Sequence, residues 1–440
     1  MGLGFLVKAD IPKRGLLRQT PSQNKLFSDI SRAIRRFTTD PLQARMITAD
    51  VQEHTLSITL HPCAEPVRFL WEPDQAIEAS AKTSTLGPGY HAYVVELLNR
   101  VGTALGLRWD WAEEEADETE FANEGDFGLL QDRMASLLRV LGRILLENAA
   151  DGYSNLMVDM PMGYPAPQAD DFAIAPRGPL SESWCRSLAV ADGEDLRRVS
   201  QEYYLWWERA ADAEYWRKTG LSLLSCEVWW HVPRSEGERA TCQLTLDCLA
   251  RAAELDQRAP LPTAEINELR HLLSQPADAP ARVPSTSGIG YRRHQMVHHL
   301  AGQWTIQVPG YYYQTWEDDD GETVFWFGGR TVRFSSLTLS SEDGRLATPE
   351  DLLGEKTPEE LCGAEVVDLD KGPLRGWATI RLNTDDGQPY WILQGKVACG
   401  NCLGIVTVCF EDAADREWAV ETYRSTFHPE PEEQDASEQA

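Results

Sequence analysis

Glu322-Thr-Val-Phe-Trp-Phe327, then Gly328-Gly329, then Arg330-Thr-Val-Arg-Phe334 is the stretch that decides the fold of the last third of this chain. Two runs rich in β-branched and aromatic residues are separated by two glycines, the residue type that supplies the positive φ of a two-residue hairpin turn. The spacing predicts an antiparallel hairpin. Working outward, Trp377–Leu382 and Tyr390–Ala398 flank the turn segment Asn383-Thr-Asp-Asp-Gly387, and Gly404–Phe410 reads as a further strand. Asp412-Ala-Ala-Asp415 has the form of a helix N-cap with an acid at the third position. The helix it opens carries Trp418, Thr422, Tyr423 and Phe427 along one side. Residues 291–428 are therefore expected to form an antiparallel sheet closed by a helix, and the acidic tail 429–440 to be disordered.

Upstream, Gln275–Gly288 is rich in Pro, Ala and Ser, so a linker is expected over 275–290. Residues 127–274 read as a helical domain. Leu130, Met134, Leu137, Leu138, Leu141, Ile144 and Leu145 share a face, and aromatic residues within Glu194–Lys218 recur at helical spacing. Further helices are expected over Thr241–Leu255 and Thr263–Leu273, and a loop over Gly152–Pro179. Residues 1–111 read as a small α+β domain. A strand at Gly4–Ile11, a helix at Ser22–Phe37, strands at Thr55–Leu60 and Val67–Trp71, and a helix after Gly87-Pro88-Gly89 follow in order. Between these domains, residues 112–126 belong to a run with nine acids and no base over 110–126, expected to be an exposed loop or linker. The expected class is α+β.

The chain has 440 residues and a net charge of −28, from 41 basic and 69 acidic side chains. Such a field repels nucleic acid and anionic membranes, and it steers a basic protein inward. The first fifty residues are the exception, with nine Lys/Arg against four acids. No apolar stretch approaches the ~20 residues of a membrane span. The nine cysteines lack framework spacing, so reduced thiols in a cytoplasm are expected.

Cys399-Gly-Asn-Cys402 lies between strand patterns, so Gly400-Asn401 reads as a turn flanked by a cross-strand cysteine pair. The alternatives are a redox pair, which needs a thiolate of lowered pKa, and half of a zinc site, which needs two more ligands. His294 and His298 have the i, i+4 spacing of two imidazoles on one helix face, and could complete such a site. A polar helix face is the plainer reading, and no cofactor is expected. No nucleophile elbow, P-loop, dinucleotide loop or calcium loop is found. What remains is acid interleaved with aromatic residues. Trp109 and Trp111 precede Glu113, Glu114, Glu115 and Glu118, while Tyr312 and Trp316 precede Asp318, Asp319 and Asp320. Such surfaces suit a basic protein partner; strand ends packing inward is the alternative.

Thr83-Ser-Thr-Leu-Gly-Pro-Gly-Tyr-His91, Trp109-Asp-Trp111 and Asp117-Glu-Thr-Glu120 are similar to N-terminal regions of bacterial proteins encoded beside polymorphic toxins and secretion-system effectors. Gly376-Trp-Ala-Thr-Ile380 through Glu411-Asp-Ala-Ala-Asp415 to Ser425 resembles small immunity-type domains of PsbP-like layout. The resemblance implies a cytoplasmic immunity protein that occludes a basic toxin or effector. An effector adaptor or scaffold, and a metal-dependent enzyme, are the other expectations.

Overall fold

The computed structural model describes residues 2–13, 20–73, 76–113, 116–154, 156–161, 164–167, 171–276, 288–318, 321–339, 347–357, 362–385 and 388–429. Most of the expected linker, all of the tail beyond Pro429, and Glu114, Glu115, Asp319 and Asp320 lie outside these residues. The fold is α+β.

The N-terminal sheet has five antiparallel strands in the order β1 (Gly4–Asp10), β5 (Ala76–Lys82), β4 (Val67–Trp71), β3 (Thr55–Thr59) and β2 (Thr48–Gln52). Period-two alternation puts Phe5, Val7, Leu56, Ile58, Phe69 and Ala79 on the inner face. Helices α1 (Gln23–Phe37) and α3 (Pro88–Leu105) contribute to the same core, through side chains such as Leu26, Ile30, Val94 and Leu98. The outer face, with Leu6, Lys8, Arg68 and Leu70, is exposed.

Between α1 and β2 lies the short α2 (Pro41–Met46), and α4 (Phe121–Glu124) precedes the long α5 (Phe127–Ala150), whose N-cap Asp126 accepts from Leu129 N. The expected loop 152–179 holds short strands, β6 (Leu156–Met157), β7 (Ala166–Pro167), β8 (Ala173–Ala175) and β9 (Gly178–Leu180). Helices α6 (Glu182–Val190), α7 (Gly193–Tyr203), α8 (Ala213–Ser222), α9 (Glu236–Leu255) and α10 (Thr263–Leu272) follow. The expected single helix over Glu194–Lys218 is corrected to α7 and α8, joined through an aromatic segment. Trp206 N donates to Leu86 O and Gly89 N donates to Trp206 O, each at 2.9 Å, so that segment pairs with the turn into α3 instead of continuing a helix. A Cβ on Gly89 would lie 2.1 Å from Trp206 Cδ1, which is why this turn needs glycine there. One hydrophobic cluster runs from Phe5 to Ala252, so the N-terminal sheet and the first helices of the middle region share a core.

A seven-stranded antiparallel sheet forms the C-terminal part, in the order β12 (Tyr313–Glu317), β13 (Glu322–Phe327), β14 (Arg330–Thr338), β18 (Cys402–Phe410), β17 (Gln388–Cys399), β16 (Leu374–Asp385), β15 (Glu365–Lys371). The hairpin read from sequence is present, with Phe327 opposite Arg330. Helix α12 (Arg416–Arg424) lies across the inner face, while the short α11 (Pro349–Leu353) contacts β17 and β18. Tyr423 of α12 fits over Gly376 and Gly395 and donates to Lys396 O at 3.1 Å. Strand β10 (Gln295–His299) pairs with β11 (Thr305–Pro309) on one side and with β7 on the other, so this region is tied by backbone to the middle of the chain.

Candidate docking edge and cleft

The acidic segment runs along β1. Asp110 N donates to Lys8 O (2.9 Å), Leu6 N to Ala116 O (3.0 Å) and Glu118 N to Gly4 O (3.3 Å). Phe5 and Asp117 form an antiparallel bridge. The segment thus covers the edge of β1, satisfying backbone groups that an open sheet would leave unpaired.

Its anchor is Asp117, 4% exposed. Thr119 Oγ1 donates to Asp117 Oδ1 at 2.7 Å, and Ala122 N donates to Oδ2 at 2.8 Å. His91 of α3 lies beneath, with Nε2 at 2.9 Å from Thr119 Oγ1 and 3.2 Å from Asp117 Oδ1, and Nδ1 at 2.7 Å from Thr83 Oγ1. Because the Thr119 hydroxyl gives its proton to Asp117, His91 Nε2 is the donor in that contact. Burial alone would raise the Asp117 carboxyl. The hydrogen bond and charge of His91, with the Ala122 and Thr119 bonds, outweigh it and hold the group down at about 2.

The aromatic residues of the segment face inward. Trp111 is buried and donates to Asn99 Oδ1 (2.9 Å), and the half-buried Trp109 donates to Leu98 O (2.8 Å). They anchor the edge from within. The acids differ: Glu113, Glu118, Glu120, Glu124 and Asp126 are exposed. Glu118 Oε2 also accepts from Gly4 N at 2.6 Å, and Glu120 pairs with Arg133. Glu113 and Glu118 line a groove of about 910 Å³ that runs over Gly2–Leu6 to Glu65 and Lys82.

Glu65 and Lys82 also line a second, deeper cleft of about 440 Å³. Its walls come from the Pro62–Arg68 region, from the end of β5 and from Asp159–Pro161, and it reaches Cys226 and Glu227. Those two residues end a π-helical turn, Leu223–Glu227, that continues α8. Such turns occur often at functional sites. Two non-glycine residues beside it have left-handed backbone, Asp159 (φ 52°) and Trp230 (φ 62°), a strain that clusters at functional sites. Lys82 Nζ donates to Asp159 Oδ1 (3.0 Å), and Tyr203 OH donates to Oδ2 (2.8 Å). Arg292 holds the turn from behind, donating from Nε to Cys226 O at 3.0 Å with its guanidinium 3.7 Å from the Trp229 ring centre. Burial pushes the Cys63 and Cys226 thiols up, which keeps them protonated, and it raises the Glu227 carboxyl. Nothing in the local sequence marked this cleft, because its walls come from distant segments.

Of the second acid–aromatic cluster, Tyr312, Trp316 and Asp318 are among the described residues. Tyr312 is buried, whereas Trp316 is 50% exposed and Asp318 is exposed. Cys399 and Cys402 face each other across the β17–β18 turn. The helix expected for His294 and His298 is corrected: residues 295–299 are strand β10. Phe325 packs on the His298 ring, and burial lowers that imidazole to about 4. Among the described residues no group of three or more His, Cys, Asp or Glu is placed to hold a metal ion, so the two-His, two-Cys site is not formed there. No described helix is long and apolar enough to cross a membrane.

No protein-family model matches the chain. No curated protein matches it. A solved structure from Bacteroides thetaiotaomicron VPI-5482 is similar over 29% of this chain and 45% of that one, at 14% identity and a TM-score of 0.23. The match thus spans less than half of that protein.

Proposed function

We propose that this chain is a cytoplasmic binding protein that grips a basic protein partner, and that it serves as an immunity-type factor by occluding the active site of a toxin or effector. The observation that carries the reading is the anchoring of the acidic segment. Asp117 fixes the backbone, so Glu113 and Glu118 are presented beside the groove on ordered chain. A preorganised acidic edge loses less entropy on docking than a flexible one. The net charge of −28 adds long-range steering of a basic partner. Glu65, on the same groove, extends the negative lining.

The test is affinity capture from the native host followed by purified binding and a toxin challenge. The reading expects one stoichiometric basic partner, protection of cells, and loss of both on Glu65→Lys with Glu113→Lys. A partner whose binding ignores the double charge reversal, or a chain that gives no protection, would overturn it.

A further inference from the structure

We propose that the cleft beneath the groove is a socket for a protonated amine or guanidinium carried on an apolar body, with the Glu227 carboxylate as its counter-ion. Five charged residues line the cleft: Glu65, Asp159 and Glu227, against Arg68 and Lys82. Lys82 and Asp159 neutralise each other at 3.0 Å. Glu65 and Arg68 are exposed at the rim. That leaves Glu227, half-buried at the end of the π turn, as the acid of the interior.

No described residue donates a hydrogen bond to the Glu227 carboxylate; burial raises this carboxyl, and Arg292, whose charge opposes that shift, is committed to Cys226 O and the Trp229 ring. An anionic ligand would meet this carboxylate in a partly desolvated space, where like charges repel strongly. A neutral ligand would desolvate it further without compensation. A cation offsets that cost. Thr85, whose buried Oγ1 has no hydrogen-bond partner, lines the same cleft. Pro62, Met160, Pro161 and Pro176 supply apolar wall for the attached body. The volume of about 440 Å³ suits a small molecule or one long basic side chain.

The inference does not rest on the docking role. The test therefore uses small probes with the full chain at neutral pH: phenethylamine, phenethyl alcohol and phenylpropionate, titrated calorimetrically. Expected are one phenethylamine per chain and at least ~tenfold weaker binding of the alcohol and the carboxylate. Glu227→Gln should reduce amine affinity ~tenfold or more and leave the alcohol unchanged. Met160→Trp, which fills the cleft, should abolish amine binding, with thermal unfolding confirming that both variants are folded. Absence of amine binding, preference for phenylpropionate, amine affinity unchanged by Glu227→Gln, or amine binding that survives Met160→Trp would overturn the proposal. If the amine binds as expected while Glu65→Lys with Glu113→Lys leaves a protein partner bound, the socket stands and the docking reading falls.

Discussion

Asp117 is a carboxylate whose ionised form the fold stabilises. Its folded pKa, near 2, lies below the unfolded value, so it contributes stability above about pH 4 that is lost as pH falls toward 2. Asp117→Asn places an amide against the Ala122 N–H and the Thr119 hydroxyl. It should cost about 2 kcal/mol at neutral pH, measured by denaturant unfolding, with the gap from wild type closing near pH 2. Two buried histidines act earlier in an acid titration. Burial lowers His61 to about 3 and His298 to about 4. Their folded values are depressed, so the neutral rings stabilise the fold above about pH 6.5, and that contribution is lost as pH falls through the folded values. Thermal unfolding should therefore move to lower temperature from about pH 6.5 downward, and His298→Gln should flatten the upper part of that curve. An unchanged slope in the variant would contradict the assignment. The anchoring of Asp117 was half legible: the Asp117-Glu-Thr119 spacing suits a local side-chain turn. Its partner His91 belongs to another element, and charge pattern alone pointed to solvent.

Elements bounded by local chemistry were readable. The Gly328-Gly329 turn, strands β16–β18 and the start of the closing helix follow from residues adjacent in sequence. Edge strands such as β2 and β15 were not, because their burial pattern is mostly exposed and carries little alternation. The continuous helix over Glu194–Lys218 failed for a tertiary reason. Trp206 stacks on Tyr93 with ring centres 5.3 Å apart, and Lys218 donates to Tyr204 O at 2.9 Å, so the aromatic spacing serves a loop wrapped on α3. Helix α12 depends on two small residues beneath it. A Cβ on Gly395 would lie 2.5 Å from the Tyr423 ring, so Gly395→Val should cost about 1–3 kcal/mol by overpacking, read as a lowered denaturation midpoint. Arg292→Ala should loosen the π turn at a cost of about 1.5–3 kcal/mol for the lost charged hydrogen bond, and raise hydrogen exchange over 223–227.

At the scale of the molecule, an acidic chain carries an ordered acidic edge, a groove along it and a cleft leading off the groove through Glu65 and Lys82. Composition suggests the sign of the proposed partner's charge, whereas the proposed contact site follows from which acids the fold buries and which it presents. The central claim is that this edge captures a basic protein. The most direct measurement is stopped-flow association with the partner that co-purifies stoichiometrically, for wild type and for Glu65→Lys with Glu113→Lys. The account predicts that the wild-type association rate falls ~tenfold or more from low to high salt, and that the variant associates more slowly and with a weaker salt dependence. Equal rates for both proteins at every salt concentration would contradict it.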